Sequence, residues 1–129
     1  MRRYYVAVLV GMLLPCMALA QGRLVVQLSV QGDINPATAS YISRGINEAN
    51  TRGAQMVLIR IDTPGGQLTS AKQIITSILQ SPVPVGVWIG PDGARAASAG
   101  TFITYAAHVA GMAPSSHLGA AHPVMMGGI

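Results

Sequence analysis

The stretch Asp92-Gly93-Ala94-Arg95-Ala96-Ala97-Ser98-Ala99-Gly100 joins an apolar segment, residues 83–89, to a predicted helix. A buried strand, a glycine-containing turn, a serine among small residues and a helix form the order that a nucleophilic serine requires. The turn lifts the serine Oγ clear of the sheet, and small neighbours let a carbonyl group approach closely. A helix that begins at Ser98 would also point free backbone N–H groups at the reacting oxygen. The simpler alternative is that Ser98 only caps that helix.

Strands and helices alternate on both sides of this stretch. Apolar and β-branched runs predict strands over residues 24–30, 56–61, 83–89 and 109–112. Helices are predicted over residues 36–51 and 67–80 and after Ser98, and Asn35 followed by Pro36 marks the start of the first. This alternation indicates an α/β fold with a mainly parallel sheet. Residues 113–129 contain several glycines and prolines and are predicted to form a loop.

The spacing of apolar residues predicts which faces are buried. In the first helix the inward residues are Ala39, Ile42, Ile46 and Ala49. In the second helix they are Leu68, Ala71, Ile75, Ile78 and Leu79. The run 56–61 is apolar except at Arg60, which is typical of a buried parallel strand.

Composition excludes one class of function. Half of the 129 residues are hydrophobic, only 9% are charged, and the formal net charge is +4. Two of the basic residues, Arg2 and Arg3, lie at the N-terminus, and the others are scattered singly. A nucleic-acid-binding surface needs clustered basic residues with interleaved aromatic ones, so we expect no nucleic-acid partner.

The N-terminal segment has the organisation of a secretory signal. The two arginines precede an apolar segment, residues 6–14, which is too short to span a membrane comfortably, and Ala18-Leu19-Ala20 supplies a cleavage site. We therefore expect a signal peptide over residues 1–20, one domain over residues 21–129, and export to the periplasm or the outer face of the cell membrane. The one cysteine, Cys16, lies in the signal, so the mature chain would have no disulfide and no thiol nucleophile.

The turn Pro64-Gly65-Gly66 lies between a predicted strand and a predicted helix. Its glycines permit unusual backbone angles and bring N–H groups near a ligand. A phosphate cradle would need a lysine close by, and Lys72 lies too far along the helix. The turn would otherwise supply half of an oxyanion hole, with the N–H of Ala99 as the other half, or be a plain turn. Asp62 is expected to accept a hydrogen bond from a nearby backbone N–H and hold the turn.

Several motifs together closely resemble the NfeD-type membrane-bound serine proteases of the ClpP/crotonase-like superfamily. The matching stretches, in chain order, are Asp62-Thr63-Pro64-Gly65-Gly66, Ser81-Pro82-Val83-Pro84-Val85, Ala94 to Thr101, Met112-Ala113-Pro114, and Leu118-Gly119-Ala120-Ala121 with Pro123-Val124. The resemblance implies a repeated ββα spiral and a Ser–Lys peptidase. In that family pattern Ser98 matches the nucleophile, and Gly66 and Ala99 match the backbone donors of the oxyanion hole.

The resemblance also implies partners. The family's substrate and partner is a stomatin-like membrane protein that is cut in an apolar segment, and its full-length members are associated with membranes. It implies no cofactor, and it leaves a homo-oligomer open. We assign no metal either, because His108 and His117 lack the spacing and acidic neighbours of a metal site.

The general base is the point at which this chain departs from the family pattern. The family's lysine falls past Ile129, and Lys72, the only lysine, is not at the matching position. We therefore expect the protease domain to be truncated, with its fold incomplete at the C-terminus, and to be inactive or weak as it stands, since a serine without a base is a poor nucleophile. His122 is the rival base, near the place where soluble ClpP-type peptidases carry their histidine. We favour an ordinary loop role for His122.

Two functions of other classes compete with the peptidase. One is a non-catalytic scaffold that holds an extended apolar peptide by strand addition beside the Pro64-Gly65-Gly66 turn. The other is a crotonase-like acyl-CoA enzyme, which uses a similar pair of backbone N–H donors. An export signal argues against acyl-CoA chemistry, which is expected inside the cell.

Overall fold

A computed structural model describes residues 22–122 of the chain. The predicted signal peptide and its cleavage site lie outside these residues. The elements, in chain order, are β1 (Val25–Gln31), α1 (Pro36–Thr51), β2 (Met56–Asp62), α2 (Leu68–Leu79), β3 (Val85–Ile89), β4 (Arg95–Ala97), α3 (Ala99–Ala106), β5 (Val109–Met112) and β6 (His117–Gly119). Asn35 caps α1 by accepting a hydrogen bond from the N–H of Thr38, and Pro36 occupies the first turn, as predicted.

The main sheet has the strand order β1-β2-β3-β5, and every pair in it is parallel. A second sheet contains only β4 and β6, which are also parallel. The predicted α/β class with a mainly parallel sheet is therefore confirmed. The two short strands were not predicted, and the loop expected after residue 113 is wrong at residues 117–119. Three residues carry too little pattern to reveal a strand, because pairing with a distant segment is what forms it.

One face of the main sheet packs against helices to form the core. The buried strand residues alternate along each strand and are Leu28, Val30, Val57, Ile59, Ile61, Val85, Val87 and Ile89. The predicted inward face of α1 is confirmed, since Ala39, Ile42, Ile46 and Ala49 are all buried. In α2 the prediction is partly wrong. Leu68 and Leu79 are exposed, and Ser70 and Ile74 are buried with Ala71 and Ile78.

The opposite face of the sheet is only partly covered. Met56 and Leu58 are half-buried there, and Arg60 and Trp88 are exposed. The apolar run of β2 had predicted a strand buried within the sheet, and alternate residues of it fulfil that prediction. None of the helices among residues 22–122 has the length and apolar character to cross a membrane.

Candidate active site

Ser98 lies at the junction of β4 and α3 in a strained backbone conformation. Its φ is 52° and its ψ is −117°, a region that residues with a side chain rarely adopt. Such a conformation costs about 1–3 kcal/mol and persists only where surrounding contacts impose it. The Ser98 side chain makes no capping hydrogen bond to α3, so the simpler alternative of a helix cap is wrong.

Two backbone hydrogen bonds hold this turn. The N–H of Ser98 donates to the carbonyl oxygen of Gly119 at 2.9 Å, and the N–H of Thr101 donates to the carbonyl oxygen of Ser98 at 2.9 Å. Because Gly119 is the last residue of β6, the strand that pairs with β4 also holds the serine backbone. Ala99, the first residue of α3, has an N–H with no carbonyl one helical turn earlier to accept it.

The Pro64-Gly65-Gly66 turn is bound to the segment between β1 and α1. The N–H of Ile34 donates to the carbonyl oxygen of Gly65 at 2.8 Å, and the N–H of Gln67 donates to the carbonyl oxygen of Ile34 at 2.8 Å. This parallel bridge leaves the N–H of Gly66 without a protein acceptor within residues 22–122. A free N–H at that point is what an oxyanion hole needs.

The two glycines of the turn are required for different reasons. A Cβ added to Gly65, whose φ is +115°, would lie 2.7 Å from Cβ of Ser98. A Cβ added to Gly66, whose φ is +156°, would run into the backbone of Ile34, 2.6 Å from its nitrogen. Glycine at position 66 is therefore required by the contact with Ile34, independently of any oxyanion role, and Gly65 is the glycine packed against the serine.

Both turns border one groove of about 720 Å³. Its lining includes Ser98, Ala99, Gly65 and Gly66, together with the exposed apolar side chains of Leu68 and Phe102. The remaining lining residues are Asp33, Ile34, Asn35, Pro64, Gln67, Ala121 and His122. The groove therefore combines a serine, free backbone N–H groups and an apolar wall.

The histidines and the lysine singled out in the sequence differ in whether they line the groove. His122 lines the groove with Ser98, whereas Lys72 is exposed on α2 and does not line it. His108 accepts a hydrogen bond at Nδ1 from the N–H of Val85 at 3.0 Å, which is a structural role. Within residues 22–122 no three His, Cys, Asp or Glu residues are arranged to hold a metal ion.

The carboxylate of Asp62 holds the strand that leads to the serine. Its Oδ1 accepts a hydrogen bond from the N–H of Arg95 at 3.1 Å. The expected bond to a backbone N–H is therefore present, but it holds β4 and not the Pro64-Gly65-Gly66 turn. Sequence reasoning missed Thr63, which is fully buried and whose Oγ1 accepts from the N–H of Gly65 at 3.1 Å. A threonine two residues before a glycine turn is the signal that could have identified it.

Fold and site together define a ClpP-like α/β domain with a serine on a strained turn between a strand and a helix. The 1510-N membrane-bound stomatin-specific protease, solved as a serine-to-alanine mutant, superposes with a TM-score of 0.78 at 35% identity over 80% of this chain and 50% of that one. Its lysine-to-alanine mutant, solved with a substrate peptide, matches with a TM-score of 0.78 at 36% identity over 80% and 47%. ClpP1 of Listeria monocytogenes matches with a TM-score of 0.57 at 26% identity over 63% and 46%.

Sequence relatives give the family. A sequence profile described as "NfeD1b, N-terminal domain" matches residues 24–128, and the chain belongs to that family. It is 35% identical over 125 residues to the membrane-bound protease PH1510 of Pyrococcus horikoshii, which covers 97% of this chain and 28% of that protein. It is 33% identical over 104 residues to the membrane protein NfeD1b of Bacillus subtilis, covering 81% and 23%. The chain thus spans about a quarter of these relatives.

Proposed function

We propose that this domain is a serine endopeptidase of the Ser–Lys type, with Ser98 as the nucleophile. The observation that carries the proposal is the Ser98 backbone, held at φ 52° and ψ −117° on the rim of a groove. Strain of this kind is concentrated at functional sites, and here it falls on a serine that lines the groove. The family's named proteases support the same activity.

The proposed chemistry is acyl transfer. Oγ of Ser98 attacks the carbonyl carbon of the scissile peptide bond, and its proton passes to the base. The carbonyl oxygen gains negative charge and accepts hydrogen bonds from the N–H groups of Gly66 and Ala99, whose free donors support this role. Collapse of the tetrahedral intermediate breaks the C–N bond, and the amine leaves with the proton. Water then hydrolyses the ester on Ser98 by the same steps.

The proposed base is a lysine, but not Lys72. Lys72 is the only lysine among the 129 residues, and its place on the exposed side of α2 removes it from the groove. A lysine base must be neutral to accept a proton, so it needs burial that lowers its pKa from about 10.4. The 129-residue chain is therefore proposed to be inactive or weak as it stands. His122 lines the groove, and the Ser98/His122 pair is the alternative.

The proposed substrate is an apolar segment of a stomatin-like membrane protein. Two related structures carry the name stomatin-specific protease, and one of them holds a substrate peptide. The exposed side chains of Leu68 and Phe102 in the groove suit an apolar peptide, because binding would remove them from water. Association between copies of this chain stays a prediction.

The test uses two proteins. One is the 129-residue chain, and the other is an extended chain in which the part of the Pyrococcus horikoshii protease domain that follows the matched region is joined after Ile129. We expect no turnover of apolar peptides by the short chain. The extended chain should cleave them, and Ser98→Ala should lower kcat by about a thousandfold or more. His122→Ala should leave kcat unchanged.

Other outcomes separate the alternatives. Cleavage by the short chain that stops on His122→Ala would replace the lysine with His122. Peptide binding by both chains without cleavage, and without labelling of Ser98 by a serine-directed phosphonate, would make the domain a peptide-binding scaffold.

Export is proposed together with membrane association. The signal-like segment over residues 1–20 and the membrane-bound relatives support a domain, residues 21–129, that acts outside the cytoplasm. N-terminal sequencing of protein expressed in a bacterium should begin at Gln21. An intact Met1 on membrane-bound material would mean that the segment is an anchor.

A further inference from the structure

The hydroxyl of Thr101 lies between two carbonyl oxygens from different strands. Thr101 is on the first turn of α3 and is only 3% exposed. Its Oγ1 lies 2.8 Å from the carbonyl oxygen of Ala96 in β4 and 2.7 Å from that of Gly119 in β6. A threonine has one hydroxyl proton, so the two carbonyls share a single donor. One side chain therefore ties α3 to both strands of the small sheet.

One of these carbonyls also holds the serine. The oxygen of Gly119 accepts the N–H of Ser98 at 2.9 Å in addition to the Thr101 hydroxyl. If Gly119 shifts, the Ser98 N–H loses its acceptor, and the turn keeps only one of the two backbone hydrogen bonds that hold it. The N–H of Thr101 bonds to the Ser98 carbonyl as well, so Thr101 contacts the strained turn from both sides.

We infer that Thr101 is a positioning residue for Ser98. Its hydroxyl fixes Gly119 against β4, and this keeps the Ser98 Oγ at the groove and the N–H of Ala99 beside it. Thr101 does not line the groove, so it acts through Ser98 and touches no substrate. The catalytic consequence rests on the proposed function, whereas the structural part does not.

Thr104 provides a matched control. It lies on the same helix, is equally buried at 3% exposure, and donates from Oγ1 to the carbonyl oxygen of Gly100 at 2.8 Å. That bond stays within α3 and reaches neither β4 nor β6. Thr101→Val and Thr104→Val each replace a buried hydroxyl by a methyl group of similar size. A general effect of losing a hydroxyl would appear in both variants, and a positioning effect only in the first.

The first measurement is amide hydrogen exchange on the 129-residue chain. We expect Thr101→Val to speed exchange at Ser98 and in residues 117–119 by about tenfold or more, because their hydrogen bonds open locally. Exchange in α1 should not change. Thr104→Val should leave Ser98 protected, and Thr101→Ser, which keeps the hydroxyl, should restore protection. If Thr101→Val fails to fold by circular dichroism, Thr101→Ala and Thr104→Ala take the place of the two valine variants.

The second measurement is the kinetics of the extended chain. A misplaced nucleophile slows the chemical step without weakening substrate binding, so Thr101→Val should lower kcat by about 10- to 100-fold and leave KM unchanged. Thr101→Ser should recover most of kcat. Equal effects of Thr101→Val and Thr104→Val on exchange would overturn the inference. An extended chain that is inactive before mutation would sink the proposed peptidase, while the exchange data would still decide whether Thr101 holds Ser98.

Discussion

At the scale of single residues, the Pro64-Gly65-Gly66 turn packs directly against Ser98. Gly65 packs against Ser98 so closely that no methyl group fits between them. Gly66 must lack a side chain, because a Cβ there would run into the backbone of Ile34. A substitution at Gly66 would therefore disturb the bridge to Ile34 as well as any oxyanion donor, and Gly65 is the cleaner position at which to test the site.

Gly65→Ala in the extended chain should lower kcat/KM by at least about tenfold, because the added Cβ displaces Ser98. The control is Gly93→Ala. Gly93 also has a positive φ, +77°, but a Cβ there meets no atom within 4 Å. Backbone strain should cost both variants about 1–3 kcal/mol of stability, and the contact with Ser98 should add to the loss in Gly65→Ala. Peptide hydrolysis and chemical denaturation check the two effects, and equal activity of the two variants would contradict the close packing of Gly65 on Ser98.

At the scale of elements, α2 presents leucines to solvent at both of its ends. Leu68 is 57% exposed and Leu79 is 66% exposed, although spacing had placed both inside. Apolar residues lie on more than one side of α2, so the spacing alone was compatible with several different buried faces. Packing against α1 and α3 selected the side with Ala71, Ile74 and Ile78. Leu68, at the start of the helix, became part of the groove.

Leu68→Ala in the extended chain should raise KM for an apolar peptide by about tenfold, because the peptide loses an apolar contact worth about 1.4 kcal/mol. Leu79→Ala is the matched control, with the same side chain and similar exposure at the end of α2 away from the groove. Neither change should alter the free energy of unfolding by more than about 0.5 kcal/mol. Steady-state kinetics measure KM for both variants. A KM that rises equally in both would contradict a contact between Leu68 and the bound peptide.

At the scale of the whole molecule, the main sheet has one well-buried face and one partly covered face. Ile59 on β2 is completely buried, and its neighbour Leu58 points to the other side and is half-buried. A parallel sheet ordinarily has both faces covered. In this sheet the fully buried side chains lie on the face that packs against the helices, so substitutions on that face should cost the most stability.

Ile59→Ala should reduce the free energy of unfolding by about 2–5 kcal/mol, as expected for a cavity in a close-packed core. Leu58→Ala, one residue away, should cost less, about 1–2 kcal/mol, since its side chain is only partly buried. Urea denaturation followed by circular dichroism measures both values. Similar losses for the two variants would mean that the face bearing Leu58 is buried in solution.

Local patterns determined much of the fold and part of the site. The cap at Asn35, the buried face of α1 and the parallel α/β class follow from side-chain chemistry and spacing, which are properties of neighbouring residues. The order of strand, small residues and helix marked Ser98 as a candidate with a helix cap as the alternative, and the family resemblance favoured the nucleophile. These features depend on contacts close in sequence, and such contacts leave a visible periodicity.

Only the tertiary structure decided what surrounds the serine. The pairing of β4 with β6 brings Gly119 to the N–H of Ser98, and the bridge from Ile34 leaves the N–H of Gly66 free. Both contacts join segments far apart in sequence, and the local pattern of a segment does not predict which distant segment it will contact. The strained angles of Ser98 belong to the same class, because a residue keeps an unfavourable conformation only where distant contacts impose it.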